Sequence, residues 1–276
     1  MIINYRIKNI IANHVKNALI EDDIKKDITS YLIPSKKKAF AKIIFREPGV
    51  LFGTHWVNAV FKKVDSKLKV KWKLKDGNAV RKNQVVCEIS GSAKSILKGE
   101  RVSLNFLQTL SSTCTIAKEF INKVKNKKIT LLHTRKTIPG FRYAQNCACL
   151  EVGCKSHRLS LSESILIKDN HLRIIDNLSD FVIKLRRYKK PIVVEAKTIQ
   201  DVKFLNKLDI DRILLDNFNL TKLKKSLKII ESIPVEISGN ITLKNINHYA
   251  LKGVSYISIG SLTKNIHALD MSLLIR

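Results

Sequence analysis

The chain has 276 residues, 45% hydrophobic and 27% charged, which is enough for one large domain and a smaller one. No stretch reaches the roughly 18 to 20 continuous apolar residues of a membrane helix, and MIINYRIKNIIANHVKNALIEDD lacks the parts of a signal peptide. These features exclude a membrane span and point to the cytoplasm. The net charge of +28 raises nucleic acid as a partner, but the lysines are spread through FKKVDSKLKVKWKLK, KVKNKK, KLRRYKK and KLKKSLK instead of forming one block interleaved with aromatics. Solvated faces are therefore expected, and a positive field that attracts small polyanions.

In chain order, Ile11, Val15, Ala18 and Leu19 have helical spacing, and AKIIFRE reads as a strand running into a turn at Pro48-Gly49. Leu68, Val70, Trp72 and Leu74 alternate with lysines, so a half-buried antiparallel strand is predicted, ended by Asp76-Gly77 and partnered by VVCEIS. The segment SILKGERVSLNFLQTL carries Ile96, Leu97, Leu104, Leu107 and Leu110 on one face and predicts a long helix leaving a mixed α+β module. From about residue 128 short apolar runs recur at ITLLH, SILIK, PIVVEA, RILLD, PVEIS and YISIG, most of them separated by helical patterns such as LSDFVIKLRRY and LTKLKKSLKIIES. Six βα repeats, with room for a seventh in the cysteine-bearing segment, predict a barrel of the TIM type or an incomplete relative of it.

Reactive groups in such barrels sit where strands end, because the loops there are free to vary while strand interiors must pack. The polar residues obey this: Arg135 and Lys136 follow the first run, Lys168 the second, Glu195 the third, Asp216 the fourth, Ser238, Gly239 and Asn240 the fifth, and Gly260 and Ser261 the sixth. Ser-Gly-Asn and Gly-Ser-Leu can offer backbone N–H groups to a phosphate. Glu195 and Asp216 suit ribose hydroxyls or a hydrated Mg²⁺, and Arg135, Arg158, Lys136 and Lys168 suit carboxylates or pyrophosphate. Taken singly, each is more often a surface residue, a cap or a turn; their joint placement makes a site. Cys87, Cys114, Cys147, Cys149 and Cys154 lack paired CxxC spacing and read as reduced thiols, not as a zinc set with His157.

The segments GERVSLNFLQTLS, HTRKTIPGFR, KSHRLSLSESILIKDNHL, ILLDNF, EISGNITLKNI and GVSYISIGSLTKN, in this order, resemble the quinolinate phosphoribosyltransferases. The likeness runs from EDDIKKDIT to LDMSLLI, nearly the whole chain. It implies an α/β fold of the type II phosphoribosyltransferase kind. An N-terminal α/β sandwich (1–110, rejoined by 266–276) would be joined to an open seven-stranded α/β barrel (111–265). It also implies an enzyme, a pentosyltransferase that converts quinolinate and phosphoribosyl pyrophosphate to nicotinate mononucleotide, pyrophosphate and CO₂ in NAD biosynthesis, with Mg²⁺.

By motif position the resemblance assigns Arg101, Arg135, His157 and Arg158 to quinolinate. Lys136, Lys168, Glu195 and Asp216 fall to the catalytic centre, the last two to Mg²⁺, partly through water and substrate. Ser238, Gly239, Asn240, Gly260, Ser261 and Lys264 fall to the 5-phosphate. A homodimer follows in which Arg101 enters the partner's site. His133, Lys197, Asn240 and Lys264 depart from the residues usual at these places. A related pyrophosphorylase for another aromatic acid would need fewer cations, and a nucleic-acid-binding protein on an inactive barrel would show salt-sensitive binding without turnover.

Overall fold

The structure, a computed structural model, describes residues 5–125 and 127–276. Two compact units divide it: residues up to Lys118 with Pro139–Val152 and Asn265–Arg276, and Glu119–Ile138 with Gly153–Lys264.

In the first unit the strands are β1 (Lys38–Phe45), β2 (Gly49–Val50), β3 (Lys69–Trp72), β4 (Ala79–Val80) and β5 (Gln84–Ser92). The second unit holds β6 (Thr130–His133), β7 (Lys155–Ser156), β8 (Ile165–Ile167), β9 (Ile192–Ala196), β10 (Arg212–Asp216), β11 (Val235–Ser238) and β12 (Val254–Ile259), and β13 (Met271–Ile275) returns to the first.

The lysine-alternating segment forms β3, which pairs antiparallel with β5, while the C-terminal residues complete the same sheet in the order β13-β1-β5-β3. Lys69 and Lys71 are exposed, and Lys73 reaches Glu88 at 2.6 Å. The other face packs Ile43, Phe45, Ile89 and Met271 against Val57 and Phe61 of helix Thr54–Val64 and Ile96, Leu104 and Leu107 of helix Ala93–Val124. The helix at residue 54 has the same apolar period and was not among the sequence expectations. Phe141, just before helix Arg142–Glu151, lies against His14 and Phe106, which brings residues 139–152 into this unit.

The second unit is the expected open barrel. Seven parallel strands run β7-β6-β12-β11-β10-β9-β8, and β7 and β8 are its unpaired edges. Val194, Ile213, Leu215, Ile237, Ile257 and Ile259 are buried in it. Asn177, Thr198 and Asn219 cap the helices that follow β8, β9 and β10 by accepting from the amides of Asp180, Asp201 and Lys222. The seventh strand, β7, is two residues long, too short to leave a periodic signal. Residues 157–164 span the opening between the edges, where Arg158 Nη1 donates to the Ser164 carbonyl at 3.0 Å.

Candidate active site

Successive side chains of a strand point to opposite faces, so within one barrel strand every second residue looks inward. That alternation accounts for the wall of a cavity of about 470 Å³ at the carboxyl ends of the strands. Leu166 contributes from β8 and Lys168 from just after it, Glu195 from β9 and Lys197 from just after it, Leu214 and Asp216 from β10, Glu236 and Ser238 from β11, and Ser258 from β12. Arg135 and Lys136 line it although they are adjacent, because extended structure ends at His133 and a turn follows, in which the Thr137 amide donates to the Arg135 carbonyl. The carbonyl of Lys136 is held by Thr263 Oγ1 at 2.7 Å. A Cβ on Gly260 would stand 3.2 Å from Lys136 Cδ, so glycine there gives the lysine stem its room.

The electrostatics of the wall are those of an anion site. Arg158, 9% exposed, has its pKa lowered by burial and by the neighbouring charge of Arg135. Arg135 Nε is buried without a partner among the described residues. Opposing these cations, Glu195 has its pKa raised, first by burial and then by Asp216, with Lys168 acting the other way. Lys197 pairs with Asp169 at 2.7 Å, so this departure from the family pattern is neutralised beside the carboxylates.

Of the residues expected from sequence, Lys136, Lys168, Glu195, Asp216, Arg135, His157, Arg158 and Ser238 line this one cavity. Gly239, Asn240 and Gly260 stand just beyond β11 and β12, Ser261 and Lys264 in the short helix Ser261–Lys264 that follows β12, and none of the five is part of its wall. Gly239 and Asn240 are both left-handed, at φ 100° and 53°. Asn is among the few side chains that tolerate that region, so Asn240 keeps the turn a second glycine would make. Its amide is tied to Asn217 Oδ1 at 3.2 Å. The backbone N–H groups of Gly239, Asn240 and Ile241 have no acceptor among the described residues. Arg101 is exposed on helix Ala93–Val124 in the other unit and does not line the cavity.

Sequence reasoning missed Thr134, Glu236 and Ser258, and placed Asp169 after Lys168 at a strand end without giving it a role. The only signal for Glu236 was a single acid inside an apolar run. The five cysteines are buried and in no disulfide, with the thiols of Cys147 and Cys154 pushed up to about 11 and about 12 by burial. Among the described residues no group of three or more His, Cys, Asp or Glu side chains could hold a metal.

Comparison with known proteins matches this arrangement at both ends of the chain. Residues 27–111 match the quinolinate phosphoribosyl transferase N-terminal domain, and residues 113–274 match the C-terminal domain. A chloroplastic nicotinate-nucleotide pyrophosphorylase [carboxylating] of Oryza sativa subsp. japonica is 37% identical over 87% of this chain and 70% of its own. A probable nicotinate-nucleotide pyrophosphorylase [carboxylating] of Bacillus subtilis (strain 168) is 31% identical over 92% of this chain and 89% of its own. The solved structure of the nicotinate-nucleotide pyrophosphorylase from Francisella tularensis superposes with a TM-score of 0.91 at 34% identity, covering 98% of this chain and 97% of that one. With both domains matched in order and relatives alike over most of their length, the chain belongs to the quinolinate phosphoribosyl transferase family.

Proposed function

We propose that the chain transfers the phosphoribosyl group of phosphoribosyl pyrophosphate to quinolinate, with loss of CO₂, giving nicotinate mononucleotide and pyrophosphate for NAD synthesis. The observation that carries this is the gathering of Arg135, Lys136, Arg158 and Lys168 in one cavity with two strand-end carboxylates, Glu195 and Asp216, that make no ion pair among the described residues. Quinolinate brings two adjacent carboxylates on an electron-poor ring. Arg135, Arg158 and His157 hold them and aim the ring nitrogen at the ribose C1, which removes the orientational cost of a two-substrate reaction. As pyrophosphate leaves, Lys168 and Lys136 meet the charge gathering on its oxygens, and Glu195 faces the oxocarbenium-like ribose. The quaternised ring nitrogen then accepts the electron pair left when the neighbouring carboxylate departs as CO₂. Ser238 and the amides of Gly239, Asn240, Gly260 and Ser261 receive the 5-phosphate, with Lys264 alongside as a point charge.

Two carboxylates that repel one another in a partly buried wall fit a divalent cation, and Glu195 and Asp216 are the pair that would hold Mg²⁺. Bound there, Mg²⁺ supplies charge neutralisation for the pyrophosphate leaving group. Two carboxylates are too few for a cage, so activity should vanish in excess chelator and return with added Mg²⁺, while the purified protein carries no stoichiometric metal by elemental analysis. Full activity in chelator would remove the cation from the reaction.

The same reading takes 1–110 with 266–276 as the N-terminal domain, 111–265 as the catalytic barrel, a homodimer with shared sites as the working unit, and a reducing compartment, the cytoplasm, for the buried thiols. No helix of the described residues is long and apolar enough to cross a membrane. The direct test measures pyrophosphate and CO₂ release from quinolinate with phosphoribosyl pyrophosphate, nicotinate serving as the control. Release with quinolinate alone is expected. Turnover of nicotinate in preference to quinolinate would shift the reading to a monocarboxylate pyrophosphorylase.

A further inference from the structure

Glu236 is a carboxylate in the wall of a cavity built for anions, and its side chain is fully buried in mid-strand β11. Its two oxygens take donors from three elements. Arg212 Nη1 of β10 donates to Oε2 at 2.8 Å, its guanidinium 3.8 Å from the centre of the Tyr256 ring, and Ser258 Oγ of β12 donates to Oε1 at 2.5 Å. His157 Nε2 stands 3.4 Å from the same Oε1, close enough for an ion pair though not aligned as a full hydrogen bond. Burial alone favours the neutral acid; the contacts with His157, Ser258 and Arg212 outweigh it and lower the pKa, so Glu236 is ionised at neutral pH.

We infer that Glu236 is a positioning residue for the quinolinate site, which through Oε1 fixes the direction of the His157 imidazole. The inference rests on the reading above, in which His157 meets a substrate carboxylate. With Nε2–H turned toward Glu236, the other ring nitrogen is the one left for the ligand. The buried anion on the far side sets the orientation of the ring, in the way a carboxylate behind a ligating histidine does. Arg212 and Ser258 hold the carboxylate in place on the strand, where its side chain is fully buried.

The test is a double-mutant cycle on ligand affinity, read by calorimetry for quinolinate and for phosphoribosyl pyrophosphate separately. Glu236→Gln should weaken quinolinate binding about tenfold and leave phosphoribosyl pyrophosphate within about twofold. In a His157→Asn background the same substitution should change quinolinate binding by less than about twofold, since the group it acts through is gone. Glu236→Gln leaves Arg212 without its counter-charge; if that variant does not accumulate as folded protein, Ser258→Ala carries the same cycle, removing one donor to Oε1 while both charges remain. Additive effects in the cycle, or equal loss for both substrates, overturn the inference. A wild-type protein that neither binds nor turns over quinolinate sinks the reading beneath it instead.

Discussion

Arg158→Ala and Arg135→Ala are each expected to lower kcat/KM for quinolinate by roughly 2 to 5 kcal/mol of transition-state stabilisation, a loss of about thirty- to several-thousandfold. The two should separate in stability. The guanidinium of Arg158 has its pKa lowered by burial and by the charge of Arg135, so in the empty site the pair opposes folding. Arg135, whose Nε has no partner among the described residues, removes a charge that opposes Arg158 when truncated, and its variant should melt at or above the wild-type temperature. Arg158 also donates to the Ser164 carbonyl across the barrel opening, so its variant should melt a few degrees lower. A carboxylate dianion is the ligand that turns this repulsion into binding energy. Near-normal quinolinate turnover by either variant would remove the proposed substrate site, and a large loss of stability in Arg135→Ala would mean that the residue is structural.

The barrel was legible because parallel strands buried on both faces leave continuous apolar runs, and the ends of those runs are where side chains may turn polar. Lys168, Glu195, Asp216 and Ser238 each stand at the end of such a run and each faces the cavity. What could not be read was anything that depends on facing. Glu236 lies in the middle of PVEIS on the face of Ser238, and only the register Leu214–Glu236–Tyr256 across three strands brings it to Arg212 and Ser258. Ser258 is hidden by the same problem, an unremarkable serine in YISIG until its neighbour strand is known. Asp169 was legible only as a polar residue after Lys168, since its pairing with Lys197, just past the next strand, leaves no local pattern. Strand β7 escaped for want of length, and the packing of Phe141 on His14 and Phe106 is a long-range contact that no local pattern announces.

Arg101 poses the remaining question, because it is exposed on helix Ala93–Val124 while the cavity is walled entirely by residues of the other compact unit. If its place is in the partner's site, each site needs two chains and the dimer is a condition of catalysis. Arg101→Ala and Lys168→Ala should then each be inactive alone and regain activity when mixed, because a heterodimer has one site with both residues intact and one with neither. At equal mixing and random pairing about half the dimers are mixed, so roughly a quarter of wild-type sites should return. The signal rises from near zero, which makes it larger than any loss a single substitution can report. Subunit exchange is followed independently by labelling one variant. Exchange without recovery, or a fully active monomer, would rule out the shared site and leave Arg101 an ordinary cation on a solvated helix face; recovery near a quarter would show that the quinolinate carboxylates are gripped across the subunit boundary.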